Sequence, residues 1–188
     1  MNSRSRSRTN RVPRSHARRA ARERQPGLPS ACLPVETVLD KTLSMTDTGS
    51  DREVTFPDIG CFGCSPTNEH GLRLRFHRRG EEVYALHTVP PAYQGAPGIV
   101  HGGILATIID EVSCATVVAL RGTHVVTGEL SVRYMRPCPV GAPLEISARV
   151  VGEHPRYLIV EAHVCQDDTV LARSTGKFFP QTRAENAP

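Results

Sequence analysis

The sequence predicts an α+β fold in which one antiparallel sheet wraps around a single long central helix. The first observation is the stretch 94–120, a Gly/Pro-rich turn followed from about His101 by a run that is apolar on most sides. A helix apolar nearly all round is buried at the centre of a fold, and about twenty residues of helix span about 30 Å. The second observation is the order of the other elements, two strand-like runs before the helix and four after it. A sheet that curls around one buried helix satisfies this order.

Charge and apolar pattern divide the chain into three parts. Residues 1–44 hold 10 Lys/Arg and 3 Asp/Glu, whereas residues 45–188 hold 13 Lys/Arg and 16 Asp/Glu. Residues 1–52 never establish apolar periodicity, so they cannot bury enough surface to offset the entropy of ordering. We expect a disordered Arg-rich arm over 1–52, a folded domain over 53–181 and a flexible tail over 182–188.

The arm leaves three interpretations open, and the rest of the chain limits the cellular context. First, the arm has the composition of a mitochondrial transit peptide, although it lacks the amphipathic apolar face that such a peptide needs. Second, it resembles a basic arm that binds nucleic acid. Third, translation starts downstream, near Met45. The mildly acidic folded part argues against nucleic acid as its partner. The Asp110-Glu111 pair interrupts the central apolar run and argues against a membrane span. Six cysteines without a secretory signal predict reduced thiols and a cytoplasmic location.

Two strands are predicted before the helix. Apolar and basic residues alternate over 72–77, the period of a half-buried strand. A second strand over 82–89 follows the turn at Arg79-Gly80, and Pro90-Pro91 ends it. The helix is expected to end near Arg121-Gly122. Four further strands follow, separated by the turn signals PCPVGAP, GEHPR and Asp167-Asp168, over residues 124–135, 144–151, 157–166 and 170–179.

Cys61 and Cys64 form a C-x-x-C pair, for which we expect no metal and no other cofactor. A structural zinc site normally needs a second such pair, and His70 adds only a third ligand. A redox dithiol begins a helix after a strand, whereas this pair leads into a turn and a strand. The sequence favours packing of small apolar side chains under the sheet edge.

The carboxylates Asp110 and Glu111 are the chemistry-bearing residues of the helix, because a buried carboxylate is costly unless it is paired or used. Asp110 can act as a general base toward water or as a nucleophile toward a carbonyl. The alternative is a carboxylate tied to a neighbouring strand or to an arginine across a subunit interface. Glu111 lies about 100° further round the helix, so the two do not face one site.

The tripeptide His101-Gly102-Gly103 opens the helix and leaves its first N–H groups and the positive end of its dipole accessible. These are the components of an oxyanion hole for an ester or thioester carbonyl; alternatively, the glycines only allow close packing. Gly102 and Asp110 are separated by about 12 Å along the helix axis. If both act on one carbonyl, they must come from two subunits of a two-fold dimer.

Three sequence blocks, GCFGCSPTNEHGLRLRF, YQGAPGIVHGGILATIIDE and VVTGELSVRYMRPCPVG, resemble the PaaI-type hotdog-fold acyl-CoA thioesterases. The similarity covers about residues 58–180. It includes HGG with an aspartate seven residues beyond the second glycine, followed by T-x-x-L-x-x-x-Y-x-x-P. The resemblance implies the hotdog fold, hydrolysis of acyl-CoA, and homodimers or homotetramers with shared active sites.

The resemblance also implies roles for individual residues. Asp110 is the nucleophile or base, the Gly102 N–H polarises the carbonyl, Thr127 positions the attacking water and His101 braces the turn at the helix start. Relatives carry Asn or Gln at the position of Gly95, so the adjacent Gln94 is a candidate donor, and some carry Asn at the position of Glu129. The substrate-binding set implied in this way comprises Gln94, Gly95, Gly103, Glu111, Arg133, Arg136 and Arg156, the arginines for the phosphates of CoA.

An enzyme that hydrolyses acyl-CoA is the favoured function. The alternative on the same fold is a non-catalytic acyl-CoA binding or sensing module, which loss of the carboxylate would favour. Asp110 is present. A dehydratase of this fold is disfavoured because its Asp/His pair is not evident.

Overall fold

The computed structural model describes residues 51–181. Residues 1–50 and 182–188 lie outside the described residues, and so do the disorder predicted for the arm over 1–52 (its last two residues excepted), the three interpretations of that arm and the flexibility predicted for the tail over 182–188. The described part consists of the following elements in chain order: β1 (Arg52–Val54), β2 (Phe76–Arg79), β3 (Glu82–Thr88), β4 (Gln94–Ala96), β5 (Ile99–Val100), α1 (Gly102–Arg121), β6 (Val125–Tyr134), β7 (Pro143–His154), β8 (Tyr157–Gln166) and β9 (Thr169–Pro180).

One antiparallel sheet wraps around α1, as the sequence predicts. Its seven strands have the order β1-β2-β3-β7-β8-β9-β6, and β4 and β5 form a separate hairpin. The helix packs against β7, β6, β3 and β8. Strand β6 lies at the edge of the sheet, and this position matters for the site.

The helix α1 is the centre of the core. It begins at Gly102 after the N-cap His101 and ends before Gly122, which takes the left-handed conformation (φ 65°) that commonly ends helices. Its buried side chains include Ile108, Ile109 and Val112. By length and composition alone this helix could cross a membrane, but these side chains pack against the sheet, as expected of a core helix.

The strand predicted over 72–77 is only partly correct: its alternation of burial is as expected, but β2 begins only at Phe76. Leu72 and Leu74 are buried, but hydrogen bonding to a neighbouring strand begins only at Phe76. The N–H groups of Leu72 and Leu74 instead donate to the carbonyls of Phe62 (2.8 Å) and Gly63 (2.9 Å). The segment before β2 is therefore paired with the loop at 61–64.

The later strands agree with prediction to within a few residues, whereas the shortest elements were not predicted. Strand β1 begins at Arg52, the last residue of the predicted arm, and pairs with β2. Strands β4 and β5 lie in the stretch that the sequence marks only as a turn. Two or three residues are too few to show a period.

Candidate active site

The N-terminal end of α1 is held by hydrogen bonds that leave one N–H group open. The His101 N–H donates to the Tyr93 carbonyl (2.9 Å), and His101 Nδ1 accepts from the Gly103 N–H (2.9 Å). His101 thus braces this turn. The exposed Gly102 is the first helical residue, and its N–H has no acceptor within residues 51–181. That N–H and the positive end of the helix dipole are therefore available to an anionic or polarised oxygen.

The hairpin β4–β5 packs on this turn through a close backbone approach. A Cβ at Gly95 would lie 3.0 Å from the Cα of His101, closer than side chains normally pack. The side-chain oxygen of Gln94 accepts from the Gly98 N–H (3.1 Å), so it closes the hairpin turn. Gly95 therefore allows the hairpin to pack closely on His101, and the side-chain oxygen of Gln94 is occupied by the hydrogen bond within the hairpin.

Asp110 is half-buried in the middle of α1 and is bound by the edge strand. Thr127 Oγ1 donates to Asp110 Oδ1 at 2.6 Å, and Cys114 Sγ lies 3.6 Å from the same hydroxyl. Burial, together with the neighbouring Asp110 charge, raises the pKa of the Cys114 thiol to about 12. This thiol is therefore protonated near neutral pH, which leaves the carboxylate as the candidate base or nucleophile of the group. The contact also fits the alternative that Asp110 is merely tied to a strand.

Tyr134 is a site residue that the sequence reasoning missed. Its Oη donates to the Gly102 carbonyl at 2.8 Å, and its ring lies 3.6 Å from where a Gly102 Cβ would be. The only signal in the sequence was its place in the T-x-x-L-x-x-x-Y pattern. Thr127 and Tyr134 therefore contact α1 from the two ends of β6, one at Asp110 and the other at Gly102.

A β-bulge allows both of these side chains to face the helix. Thr127 and Tyr134 are seven residues apart, an odd spacing that would point them to opposite faces of a regular strand. The pairing of β6 with β9 shifts between Thr127 and Glu129, and the extra residue restores a common face. That residue is Gly128, where any Cβ would collide with the ring of Phe179. Glu129 then points away and pairs with Lys177 at 2.6 Å.

Glu111 does not share the surroundings of Asp110. Its Oε1 accepts from the Cys61 thiol at 3.2 Å, and its side chain lies directly against Gly63, where a Cβ has no room. The two adjacent carboxylates thus face different elements, as the helical rotation predicts. The assignment of Glu111 to substrate binding stays a prediction.

The three predicted phosphate-binding arginines are exposed and lie at two ends of the domain. Arg133 and Arg136 lie near the end of β6 that contacts Gly102. Arg156 lies in the turn between β7 and β8, where its N–H donates to His154 Nδ1 at 3.3 Å. Register places that turn near the start of β6, because Leu158 and Thr127 both pair with Phe178. Within one chain the three arginines are not brought together.

The cysteines follow the sequence expectation at all described positions except one. Free thiols are present at Cys61, Cys64, Cys114 and Cys138. Burial raises the pKa of the Cys64 thiol far above its usual range. Cys165 is disulfide-bonded, so the expectation that every cysteine is a thiol is wrong at that position.

Comparison with known proteins agrees with this architecture. The sequence model of the thioesterase superfamily matches residues 97–173. Acyl-coenzyme A thioesterase THEM5 of Mus musculus is 32% identical over 106 residues, which are 55% of this chain and 42% of that protein. Acyl-coenzyme A thioesterase THEM4 of Xenopus laevis is 33% identical over 106 residues, 55% of this chain and 47% of that protein. This chain therefore spans less than half the length of these two relatives.

A solved structure extends the comparison to the fold. A thioesterase superfamily protein that is 27% identical superposes with a TM-score of 0.59 and covers 65% of this chain and 60% of its own. The resemblance seen in the sequence is thus confirmed at the level of the superfamily. The described part of this chain has the hotdog fold, and it is similar in sequence and in structure to proteins of the thioesterase superfamily.

Proposed function

We propose that this chain hydrolyses acyl-CoA thioesters to the free acid and CoA. The contact of Asp110 with the Thr127 hydroxyl carries the proposal, because it holds an accessible carboxylate and an alcohol donor together beside an exposed strand. The open Gly102 N–H supplies the second requirement, a donor for a carbonyl oxygen. The relatives named acyl-coenzyme A thioesterases support a CoA thioester as the substrate.

The geometry of β6 supports a site shared by two subunits. Asp110 and Gly102 are separated by about 12 Å along the helix axis, so one carbonyl cannot contact both within one chain. Strand β6 is an edge strand of ten residues, and its outer edge pairs with no other strand of the described part. Exposed apolar side chains lie at its two ends, among them Val126 (49% exposed) and Met135 (45%). A long exposed edge of this kind is normally covered.

Pairing this edge with a second copy would complete the site. In a two-fold antiparallel pair, the start of one β6 lies beside the end of the other. Thr127, with Asp110, is at the start, and Tyr134, with Gly102, is at the end. Each carboxylate would therefore approach the Gly102 end of the other copy. The same pairing brings the Arg156 end of one chain toward the Arg133 and Arg136 end of the other, where both ends can contact the phosphates of CoA.

Two routes are open to the carboxylate in such a site. As a base, Asp110 takes a proton from water while the water oxygen bonds to the carbonyl carbon; the C–S bond then breaks and the departing CoA sulfur takes a proton. As a nucleophile, Asp110 displaces CoA to form a mixed anhydride, which water hydrolyses. In both routes the Gly102 N–H donates to the developing oxyanion, and Thr127 orients the carboxylate or the water. The cytoplasmic location stays a prediction.

A panel of acyl-CoA esters tests the proposal directly. Hydrolysis releases the CoA thiol, which a thiol-reactive dye detects continuously; short, long and aromatic acyl groups define the preference. We expect turnover of acyl-CoA that falls at least about 100-fold in the Asp110→Asn variant. Acyl-CoA binding by calorimetry with no turnover on any ester would instead indicate a binding module and overturn the proposal.

A further inference from the structure

Three potential metal ligands from separate parts of the sequence converge beside α1. Cys61 Sγ, Cys64 Sγ and a carboxylate oxygen of Glu111 all lie within 4.8 Å of one another. His70, the third ligand that the sequence offers, is exposed and is not among the three. The fold supplies the third ligand from the helix, 50 residues away from Cys61.

The loop at 61–64 has the local geometry of a turn that supports thiolates. The Ser65 N–H donates to the Cys61 carbonyl at 3.1 Å, which brings the two cysteines to one side of the turn. The Gly63 N–H donates to Cys61 Sγ at 3.3 Å. Donors of this kind orient and stabilise metal-bound thiolates. The absence of a Cβ at Gly63 lets the turn rest directly on the Glu111 side chain.

Glu111 has no positive partner in the described part of the chain. The ion pairs found within residues 51–181 use other carboxylates, and the side-chain hydrogen bond to Glu111 comes from the Cys61 thiol. A half-buried carboxylate without a cation is costly. A divalent ion would supply the missing positive charge and would convert the adjacent thiols into ligands.

We propose that Cys61, Cys64 and Glu111 bind a divalent metal ion of the zinc class. Binding releases the two thiol protons to solvent and forms two metal–sulfur bonds and one metal–oxygen bond. Two thiolates select zinc over magnesium or calcium. A cavity of about 170 Å³ borders Cys61 and Cys64. In zinc sites with three protein ligands, water commonly fills the fourth tetrahedral position. The ion would fasten the 61–64 loop to α1 at the residue next to Asp110.

Metal analysis of the full chain, purified under reducing conditions without chelator, tests the site. We expect about one zinc per chain after addition of one equivalent of zinc and gel filtration. Cys64→Ser and Glu111→Gln should each lower the zinc affinity at least tenfold in competition with a chromophoric chelator. Cys114→Ser and Glu129→Gln are matched controls, a thiol on the same helix and an exposed carboxylate, and should retain the wild-type affinity.

Cobalt gives a spectroscopic readout that can be taken on the wild-type chain alone. Cobalt(II) bound by two thiolates in the wild-type chain should show a strong thiolate-to-metal absorption band, weakened in Cys64→Ser. Zinc should also raise the melting temperature of the wild type relative to EDTA, because the three ligands come together only in the folded state. Failure of the reduced wild type to take up zinc or to give this band overturns the proposal. So does equal affinity in wild type, Cys64→Ser and Glu111→Gln, which would show adventitious binding.

Discussion

Asp110 and Glu111 are adjacent carboxylates on one helix, and the structure gives them different surroundings. Asp110 faces the edge strand β6, where the Thr127 hydroxyl donates to it and no other strand of the described part pairs with the outer edge. Glu111 is covered by the 61–64 loop and contacts a thiol. Because one residue turns the helix by about 100°, residue type alone does not distinguish the two. The element that each carboxylate faces is the basis for proposing chemistry at Asp110 and metal-mediated attachment of the 61–64 loop at Glu111.

The largest expected effect separates these two carboxylates. Asp110→Asn is nearly isosteric and can still accept the Thr127 hydrogen bond. We expect kcat to fall by about 10² to 10⁴, the usual cost of losing a general base, with little change in melting temperature. Glu111→Gln should show the other pattern, a change in zinc-dependent melting temperature larger than its change in kcat. Steady-state kinetics and thermal melts on both variants measure this.

If Asp110→Asn and Glu111→Gln showed each other's expected changes in kcat and melting temperature, the proposed roles of the two carboxylates would be wrong. Turnover by Asp110→Asn at the wild-type rate, per folded molecule, would remove Asp110 from the mechanism. A binding measurement with a slowly hydrolysed acyl-CoA analogue serves as the control. A dissociation constant close to wild type shows that the loss lies in the chemical step.

The next largest effect tests the open N–H at the other end of the site. Gly102→Pro removes this donor, and the local backbone accepts proline well. Gly102 is the first helical residue, where proline is favoured, and His101 has the extended ψ of 132° that precedes proline. We expect kcat to fall by about 10² to 10³, as for other oxyanion donors. Gly102→Ala keeps the N–H, has room beside Tyr134, and should stay near wild type.

Mixing the two inactive proteins tests whether the site is shared. A heterodimer of Gly102→Pro and Asp110→Asn has one site with both groups intact, if each site takes one group from each subunit. Random mixing should then restore about one quarter of wild-type turnover per chain, because half of the dimers are mixed and half of their sites are intact. No recovery after mass spectrometry confirms mixed dimers would place both groups in one chain.

The sequence correctly predicts the elements that are long enough to show an apolar period. The apolar run after His101 gives the helix within a residue at each end, and turn signals separate the later strands correctly. Burial alternates over 72–77 as predicted, yet the strand begins only at Phe76. Alternation reports which face is buried and not which segment supplies the hydrogen bonds.

The missed features depend on contacts between distant residues. The approach of Glu111 to Cys61 joins two segments that no local pattern relates. Tyr134 and Thr127 both contact the helix because the bulge at Gly128 changes which side chains of β6 face it. A regular alternation would have placed Thr127 and Tyr134 on opposite faces. Prediction of this site therefore required the register of β6 as well as its residues.

A smaller effect is expected where β6 orients the carboxylate. Thr127→Val removes the hydroxyl that donates to Asp110 while keeping the size and the strand preference of the side chain. Hydrogen bonds to charged groups contribute about 1.5 to 3 kcal/mol, so we expect a loss in kcat of about 10- to 100-fold. Thr127→Ser keeps the hydroxyl and should recover most of the rate. Equal rates for the valine and serine variants would show that the contact with Asp110 has no role in turnover.

The smallest effect should come from Tyr134, which contacts the backbone of the helix start and not a charged group. Tyr134→Phe deletes only the Oη that donates to the Gly102 carbonyl, and the ring that packs beside Gly102 remains. A hydrogen bond between neutral groups contributes about 0.5 to 1.5 kcal/mol, so kcat should fall about 2- to 10-fold. If Tyr134 acts by fixing the Gly102 N–H, its effect should disappear in the Gly102→Pro background, where that donor no longer exists. A double-mutant cycle measures this dependence. Additive losses would show that Tyr134 acts independently of Gly102, through the substrate or the dimer contact, and would remove it from the support of the oxyanion donor.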